Sequence, residues 1–258
     1  MTPPVPRVAG LLAGGLLALS CGRGEAAPAM LTATCHAPVP PGTGVLVYSR
    51  TAGYRHASIP AGIAAIQALG RELGFGVAHT EDPAWFTDST LARYRAVVFL
   101  STTGDVLDDA QQQAFERFVE AGGGFVGVHA AADTEYEWPW YGNLVGAWFE
   151  RHPAIQAATL TVTDSAHPST RCLPPAWSRT DEWYDFRAPP PETSRILLTI
   201  DEGSYRGGRM GADHPMSWAQ FWGGGRSWYT ALGHTEESYR EPAFLDHLAG
   251  GILWVLGG

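Results

Sequence analysis

Two histidines follow apolar segments that have the character of β-strands. His129 comes directly after the apolar residues 125–128, and His234 ends another apolar approach, with Glu236 two residues further on. In open α/β sheets, the carboxyl ends of the strands border the crevice in which ligands bind. Residues two apart on a strand point to the same face, so Glu236 is predicted to orient His234. The predicted catalytic residues are therefore His129, His234 and Glu236, acting by acid–base chemistry.

Polar and aromatic side chains cluster in four loops. The sequences are TAGYRHAS after the first predicted strand, DTEYEWPWY after His129, DEWY at 181–184 and DHPM at 213–216. Carboxylates accept hydrogen bonds from sugar hydroxyls, and aromatic rings stack on the C–H faces of sugars, so this composition favours a hydroxyl-rich ligand. The predicted substrate-binding residues are Tyr54, Arg55, His56, Asp133, Trp138, Trp140, Glu182, Trp183 and His214. For Trp138 and Trp140, packing in the core is the alternative interpretation.

The same loops contain ligand types for a divalent metal ion. No short-range metal motif is present, so the ligands would have to converge from distant segments of the chain. A bound metal is therefore left open, and no other cofactor is predicted. The candidate ligands are His56, His129, Glu182, His214 and His234.

Strands and helices are predicted to alternate before residue 129. Ser58 and Asp88 are predicted to cap the first two helices, and Asp108 with Gln111 has the spacing of a capping box. The uniformly apolar residues 96–101 indicate a strand that is buried on both faces. Such alternation is typical of a parallel sheet with helices on both sides.

The second half of the chain is rich in strands. From residue 157 onward, several short apolar segments are separated by turns, and a last helix is predicted over residues 242–256. A mixed or antiparallel extension of the sheet fits this pattern best. The predicted fold class is therefore α/β, a three-layer sandwich with a mostly parallel central sheet and a strand-rich C-terminal extension. One domain is predicted, over residues 44–258.

The charge of the chain argues against one class of partner. Among the 258 residues, 17 basic and 26 acidic side chains give a formal net charge of −9. This balance repels a phosphate backbone, so nucleic acid is not a predicted partner. A small carbohydrate is the predicted ligand, and the oligomeric state is left open.

Residues 1–27 have the pattern of an export signal. Arg7 precedes an apolar run over residues 8–19, which at about 12 residues is too short to span a membrane. The residues before Cys21 resemble a lipoprotein signal that would lipidate this cysteine, and ordinary cleavage near residue 26 is the alternative. Residues 28–43 contain the prolines and glycine of a tether. The predicted location is extracytoplasmic, as a lipoprotein of the cell surface or periplasm or as a secreted protein, with membrane contact only through the lipid.

Two cysteines remain beside Cys21. Cys35 and Cys172 form an even pair, which in an oxidising compartment can join in a disulfide. The alternative is two unpaired thiols. The spacing alone does not decide between them.

Six long motifs in this order span most of residues 44–258: VYSRTAGYRHASIPAGI, VVFLSTTGDVL, GGGFVGVHAAADTEYEWPWYGNLVGAWFERHP, TDEWYDFR, MGADHPMSW and GRSWYTALGHTEESY. Through these motifs the chain resembles the ThuA-like family, which is named for trehalose utilisation. The resemblance implies a flavodoxin-like fold of the class I glutamine amidotransferase-like type. It also implies a role in carbohydrate use, with disaccharides such as trehalose or their 3-keto forms as the substrate class.

The resemblance also implies positions for the two histidines. Relatives in the wider superfamily use a nucleophilic cysteine at the turn after one strand and a later His-x-Glu. His129 stands at the position of that cysteine, and His234-Thr235-Glu236 matches the His-x-Glu. Neither strand end offers a serine or cysteine at its turn, so covalent acyl chemistry, and with it glutaminase activity, is not expected.

These inferences predict an exported protein that acts on carbohydrates through histidine and carboxylate acid–base chemistry. The main alternative is a non-catalytic carbohydrate-binding surface protein, in which Trp138, Trp140 and Trp183 stack on the ligand and the histidines only donate hydrogen bonds. A third interpretation is a lipid-anchored structural partner of a dehydrogenase or transporter.

Overall fold

The computed structural model describes residues 1–4, 31 and 35–257. Nearly all of the predicted export signal, including Cys21, lies outside the described residues. Among the helices in the described part of the chain, none is both long enough and apolar enough to cross a membrane.

A nine-stranded sheet forms the centre of the protein, and a two-stranded sheet lies beside it. The strands are β1 (Gly44–Tyr48), β2 (Gly76–Thr80), β3 (Ala96–Leu100), β4 (Gly124–Val128), β5 (Phe149–Arg151), β6 (Gln156–Val162), β7 (Ala176–Asp181), β8 (Asp185–Phe186), β9 (Arg195–Ile200), β10 (Pro215–Trp222) and β11 (Gly225–Thr230). The helices are α1 (Ile59–Leu73), α2 (Asp88–Leu91), α3 (Asp109–Glu120), α4 (Pro139–Val145) and α5 (Pro242–Val255).

The strand order in the large sheet is β2-β1-β3-β4-β11-β10-β9-β6-β7. The pairs from β2 to β11 are parallel, and the pairs from β11 to β7 are antiparallel. A mostly parallel core with a strand-rich antiparallel extension was predicted from the sequence, and this prediction is confirmed. Strand β11 belongs to both halves, because it pairs with β4 on one side and β10 on the other.

The core follows from the apolar patterns of the sequence. Every residue of β3 is buried, as expected for a strand covered on both faces. The capping box at the start of α3 is present, since the Asp108 side chain accepts from the backbone N–H of Gln111 and the Gln111 side chain accepts from that of Asp108, both at 2.9 Å.

Two predicted helix caps differ from the structure. Ser58 precedes α1, but its hydroxyl donates to the carbonyl oxygen of Gly233 at 3.2 Å instead of capping the helix. Thr87, and not Asp88, caps α2, because its hydroxyl accepts from the N–H of Thr90. The Ser58 hydroxyl is therefore used in a tertiary contact, and the residue before Asp88 caps α2 in its place.

The segment before β1 is attached to the domain. Cys35 forms a disulfide with Cys172, and the Cys35 carbonyl oxygen accepts a hydrogen bond from Arg171. Further along, the N–H of Val39 donates to the carbonyl oxygen of Leu73 at 2.8 Å. Cys35 and Val39 therefore attach the described part of the predicted tether, residues 35–43, to the domain.

Candidate functional site

His129 occupies a strained turn at the carboxyl end of β4. Its φ angle is +52°, a left-handed conformation that residues other than glycine rarely adopt. Two hydrogen bonds hold it there: Nδ1 donates to the Ala231 carbonyl oxygen at 2.8 Å, and the Tyr229 hydroxyl donates to the His129 carbonyl oxygen at 2.8 Å. Backbone strain of this kind persists where the surrounding structure over-determines it, and it clusters at functional sites.

His234 comes to the same place because β11 lies next to β4. Thr230 at the end of β11 is in register with Val128 at the end of β4. The chain then leaves the strand, and the carboxylate of Asp181 accepts from the N–H of Gly233 at 2.9 Å and of His234 at 3.1 Å. Asp181 therefore holds the loop that carries His234.

Glu182 lies between the two imidazoles. Its Oε2 is 3.4 Å from Nε2 of His129 and 3.1 Å from Nδ1 of His234, and these two nitrogens are 3.1 Å apart. On the other carboxylate oxygen, Oε1 is 3.0 Å from Nδ1 of His152. The hydroxyl of Tyr184 donates to Nε2 of His129 at 3.0 Å. The carboxylate thus links imidazoles from three separate segments of the chain.

His56 completes the group from the loop after β1. It is only 4% exposed, and its ring packs edge-on against His129 and His234, with centroid distances of 4.7 and 5.1 Å. Burial lowers the pKa of His56 to about 3, and the neighbouring His129 and His234 add to this shift. His56 is therefore a neutral imidazole at neutral pH.

The pKa values of Glu182, His234 and Asp133 depend on burial, which disfavours the charged form, and on hydrogen bonds and nearby charges, which favour it. Burial raises the pKa of Glu182, but hydrogen bonds from His129 and His234 and the charges of these rings outweigh it and leave the pKa below its ordinary value. Burial lowers the pKa of His234, but the hydrogen bond and charge of Glu182 outweigh it and raise the pKa. Burial is also the main reason why the pKa of Asp133 is raised.

Most of these side chains line a cavity of about 440 Å³, here called the histidine cleft, whereas His129 is completely buried and contacts the lining residues His234, Glu182 and Tyr184. Its lining consists of Tyr54, His56, Asp133, Phe149, His152, Glu182, Tyr184 and His234. Three aromatic rings and five ionisable side chains therefore face one space. The volume lies within the range of about 300–1,000 Å³ that is typical of small-molecule sites.

Glu236 lies outside this arrangement. The sequence predicted that it shares a strand face with His234, but β11 ends at Thr230, and Glu236 is an exposed residue at the start of a 3-10 turn. Its predicted role beside His234 is taken by Glu182. Arg55 also points elsewhere, because its guanidinium forms a half-exposed ion pair with Glu81 at 2.7 Å.

The tryptophans predicted to stack on a sugar pack in or against the hydrophobic core. Trp183 is completely buried and donates to the Gln156 carbonyl oxygen, and Trp138 is nearly buried and donates to Glu116. Trp140 stacks on Trp138 with ring centroids 5.3 Å apart. None of these three rings lines the histidine cleft. For Trp138 and Trp140, the core-packing alternative therefore describes the structure better.

His214 does not line the cleft but contacts the backbone of Tyr184, which does. It is completely buried, its Nε2 donates to the Tyr184 carbonyl oxygen at 2.7 Å, and its Nδ1 is 2.9 Å from Glu202. It therefore holds the backbone of a cleft residue without lining the cleft itself.

Three cleft residues were absent from the sequence-based set: Phe149, His152 and Tyr184. Tyr184 stands two residues after Glu182 in the DEWY cluster, and this proximity was the available signal. Phe149 and His152 belong to the small sheet and the residue just beyond it, and no local pattern connects them with the histidines.

Two groups of side chains in the described part of the chain bring metal-ligand atoms within 4.8 Å of one another. The first is His56, His129, Glu182 and His234, of which all but the buried His129 line the cleft. The second is Asp185, Glu202 and His214, behind it. The sequence had assigned His214 to the same candidate set as the other histidines, and the structure separates it from them.

Replacing Asp181 by asparagine should loosen the His234 loop. The Asp181 carboxylate is completely buried and also lies 3.2 Å from the guanidinium of Arg179. Removal of one carboxylate from a buried ion pair is strongly destabilising, and Arg179 would be left with its ion pair to the partly exposed Glu241, so Asp181→Asn should lower the free energy of unfolding by about 3 kcal/mol. Urea denaturation measures this loss, and amide hydrogen exchange at Gly233 and His234 should become faster.

Asp88→Asn is the matched control for this experiment. Asp88 also pairs with an arginine, Arg117, but both side chains are more than half exposed. Ion pairs exposed to solvent contribute little to stability, so this variant should remain close to the wild type. Equal losses in the two variants would contradict the anchoring role of Asp181.

Comparison with known proteins yields one family and several related folds. The family model for ThuA, described as trehalose utilisation, matches residues 44–255. No curated protein matches the chain. A ThuA-like protein from Bacteroides uniformis has 24% sequence identity and a TM-score of 0.72, over 83% of this chain and 91% of that one. One from Parabacteroides merdae has 22% identity and a TM-score of 0.69, over 85% and 91% of the two chains.

A larger enzyme shares the fold in part. A β-galactosidase from Bacillus circulans sp. alkalophilus has 16% identity and a TM-score of 0.54, over 84% of this chain but only 31% of that one. At such identities the solved structures establish the fold alone. The family match rests on the sequence itself and covers most of the chain, including both histidine strand ends. The chain belongs to the ThuA family, whose description, trehalose utilisation, indicates a carbohydrate-related role.

Proposed function

We propose that this protein is a carbohydrate-processing enzyme whose reaction takes place in the histidine cleft. The proposed substrate class is disaccharides such as trehalose, or their 3-keto derivatives. The family description, trehalose utilisation, supports a carbohydrate as the substrate. The observation that carries the proposal is that His234 and Glu182 line a cavity large enough for a small molecule and that both contact the completely buried His129.

The lining of the cleft suits a sugar. Phe149 and Tyr184 form an aromatic pair with ring centroids 4.3 Å apart, and the exposed ring of Tyr54 lies beside His56 at the rim. Rings of this kind present apolar faces to the C–H groups of a sugar. The carboxylate of Asp133 and the imidazole of His152 offer hydrogen-bond partners for its hydroxyls.

The proposed chemistry is proton transfer at a sugar hydroxyl or beside a keto carbon. His129 donates through Nδ1 to a backbone carbonyl, so Nε2, which is directed towards His234 and Glu182, is the ring nitrogen that can accept or release a proton. Glu182 orients both imidazoles, a role that the sequence had given to Glu236. Positioned imidazole and carboxylate pairs of this kind are common general acid–base catalysts.

The proposal excludes glutamine hydrolysis. His129 occupies the strained turn at which related folds carry a nucleophilic cysteine, and an imidazole there does not supply the thiolate that a thioester mechanism needs. Ammonia release from glutamine by the purified protein would contradict this part of the proposal.

Export of the protein is also proposed. Arg7 with the apolar run at 8–19, followed by a lipoprotein-like Cys21, supports an extracytoplasmic location. The disulfide between Cys35 and Cys172 suits an oxidising compartment. Membrane fractionation of cells that express the full chain tests this location, and a wholly cytoplasmic protein would contradict it.

The function is tested by a ligand screen followed by product analysis. Thermal unfolding is measured with trehalose, other glucosides and their 3-keto derivatives at high concentration, because a bound ligand stabilises the folded protein in proportion to RT ln(1 + [L]/Kd). A sugar that raises the melting temperature and is consumed supports the enzyme. A sugar that binds but is recovered unchanged would favour a carbohydrate-binding protein, and the absence of both effects would contradict the proposal.

A further inference from the structure

We propose that the histidine cleft binds one divalent first-row transition-metal ion through His56, His129, His234 and Glu182. The four ligand atoms lie within 4.8 Å of one another. Binding of the ion rests on this geometry alone. Its participation in turnover deepens the proposed function and rests on it.

The distances between three of the ligand atoms fit a metal polyhedron. Nε2 of His129, Nδ1 of His234 and Oε2 of Glu182 form a triangle with sides of 3.1, 3.1 and 3.4 Å. Ligands at about 2.1 Å from an ion lie about 3.0 Å apart in an octahedron and about 3.4 Å apart in a tetrahedron. The triangle therefore has the dimensions of one face of such a site before any side chain moves.

Hydrogen bonding alone leaves one unfavourable contact in this group. Because Nδ1 of His129 donates to the Ala231 carbonyl oxygen, Nε2 of the neutral ring carries a lone pair, and it lies 3.4 Å from Oε2 of the Glu182 carboxylate. Two such atoms repel each other unless a proton or a cation lies between them. A cation at the centre would instead be bound by the lone pairs of both imidazoles and the carboxylate.

His56 provides a second, independent observation. Its side chain is almost completely buried, and its Nδ1 has no hydrogen-bond partner. A buried polar nitrogen without a partner costs about 1–3 kcal/mol, so such atoms in native structures call for a ligand or a function. Among the described residues, His56 belongs to a group in which two other imidazoles and a carboxylate have ligand atoms within 4.8 Å of its own.

The backbone also supports this site in the manner of known metal centres. Histidine ligands usually donate their second ring N–H to a carbonyl or carboxylate oxygen, which fixes the orientation of the ring. His129 has this contact with the Ala231 carbonyl oxygen at 2.8 Å. The loop of His234 is held at its backbone by the buried carboxylate of Asp181.

The second group, Asp185, Glu202 and His214, differs in the hydrogen-bond partners of its carboxylates. Asp185 forms an ion pair with Arg151, and Oε1 of Glu202 accepts from the backbone N–H groups of Met210 and Gly211. Its carboxylates therefore already have protein donors, including a permanent cation. We infer that this group stabilises the protein and does not bind the ion.

The ligand types select the class of metal. Imidazoles with one carboxylate suit Zn²⁺, Fe²⁺, Co²⁺ and Mn²⁺, whereas Mg²⁺ and Ca²⁺ prefer oxygen ligands alone. Zn²⁺ and Co²⁺ are therefore the probes of choice, and Co²⁺ also reports its ligands through its visible absorption. Mg²⁺ serves as the negative control.

The test is a metal titration of the full chain after treatment with a chelator. Co²⁺ binding is followed by visible absorption and Zn²⁺ binding by calorimetry, and one equivalent per chain is expected. Glu182→Gln should weaken the binding of both ions more than about 100-fold, because loss even of a residue that supports a ligand costs about 10–100-fold. His56→Gln should weaken it as well and change the Co²⁺ spectrum.

Glu202→Gln is the matched control, because it makes the same substitution in the second group. It should leave the affinity and the spectrum unchanged. Thermal unfolding of each metal-free variant confirms that it is folded before the titration. A wild-type chain that binds neither ion, or a loss of binding in Glu202→Gln but not in Glu182→Gln, would overturn the proposed site.

Metal binding and sugar turnover are separated by measuring both in the same preparations. Turnover that persists after complete removal of the ion would overturn the catalytic role of the metal and leave the proposed function intact. Stoichiometric binding without turnover of any sugar would contradict the proposed function and leave the metal site intact.

Discussion

Replacement of both His129 and His234 by glutamine should abolish the turnover of any sugar that the wild-type protein consumes. The two ring nitrogens that face each other beside the cleft are 3.1 Å apart, and both contact the same oxygen of Glu182, which lines the cleft. Loss of positioned acid–base groups typically costs about 10²–10⁴-fold in rate. We therefore expect kcat/KM to fall by at least about 10³-fold, measured by product formation under substrate-limited conditions.

The single variants sharpen this prediction. Groups that act as one unit are strongly non-additive, so His129→Gln and His234→Gln should each cost nearly as much as the double variant. His79→Asn is the control, because His79 lies in β2, hydrogen bonds to Ser49 at 2.8 Å and does not line the cleft. Substantial turnover in a folded double variant would refute the assignment of the reaction to this cleft.

Removal of the Cys35–Cys172 disulfide should have the largest effect on stability. The two cysteines are 137 residues apart in the chain, so the bond constrains a long segment of the unfolded state. Chain entropy gives about 5 kcal/mol for a loop of this length, and native disulfides typically contribute about 2–5 kcal/mol. The Cys35→Ser/Cys172→Ser double variant should therefore unfold at a much lower urea concentration than the oxidised wild type.

Reduction provides the internal control for this measurement. Treatment with dithiothreitol should bring the urea midpoint of the wild type down to that of the double variant, and should not change the midpoint of the variant itself. The loss should be accompanied by release of the segment around Cys35, which is detected as faster hydrogen exchange at Val39, whose N–H donates to Leu73 in the folded protein. Equal midpoints for the oxidised and reduced wild type would contradict the prediction.

Local patterns determined the parts of the fold that depend on local interactions. The capping box of Asp108 and Gln111 and the fully buried strand β3 follow from neighbouring residues, and both are found in the structure. The order of buried strands and amphipathic helices similarly predicts the parallel half of the sheet. The predicted helix caps at Ser58 and Asp88 were wrong, because the Ser58 hydroxyl donates to Gly233 instead and the adjacent Thr87 caps the second helix.

Local patterns and motifs in the sequence therefore predict the fold class, the family and the placement of His129 and His234 near strand ends, because strand ends and apolar periodicity are local properties of the chain. Which carboxylate contacts the histidines depends on how distant segments of the chain pack together. Glu236 is close to His234 in sequence but leaves with the loop after β11, whereas Glu182 comes from the loop after β7 at the far edge of the sheet. Contacts between segments so distant depend on strand order and loop anchoring, which local residue patterns do not specify.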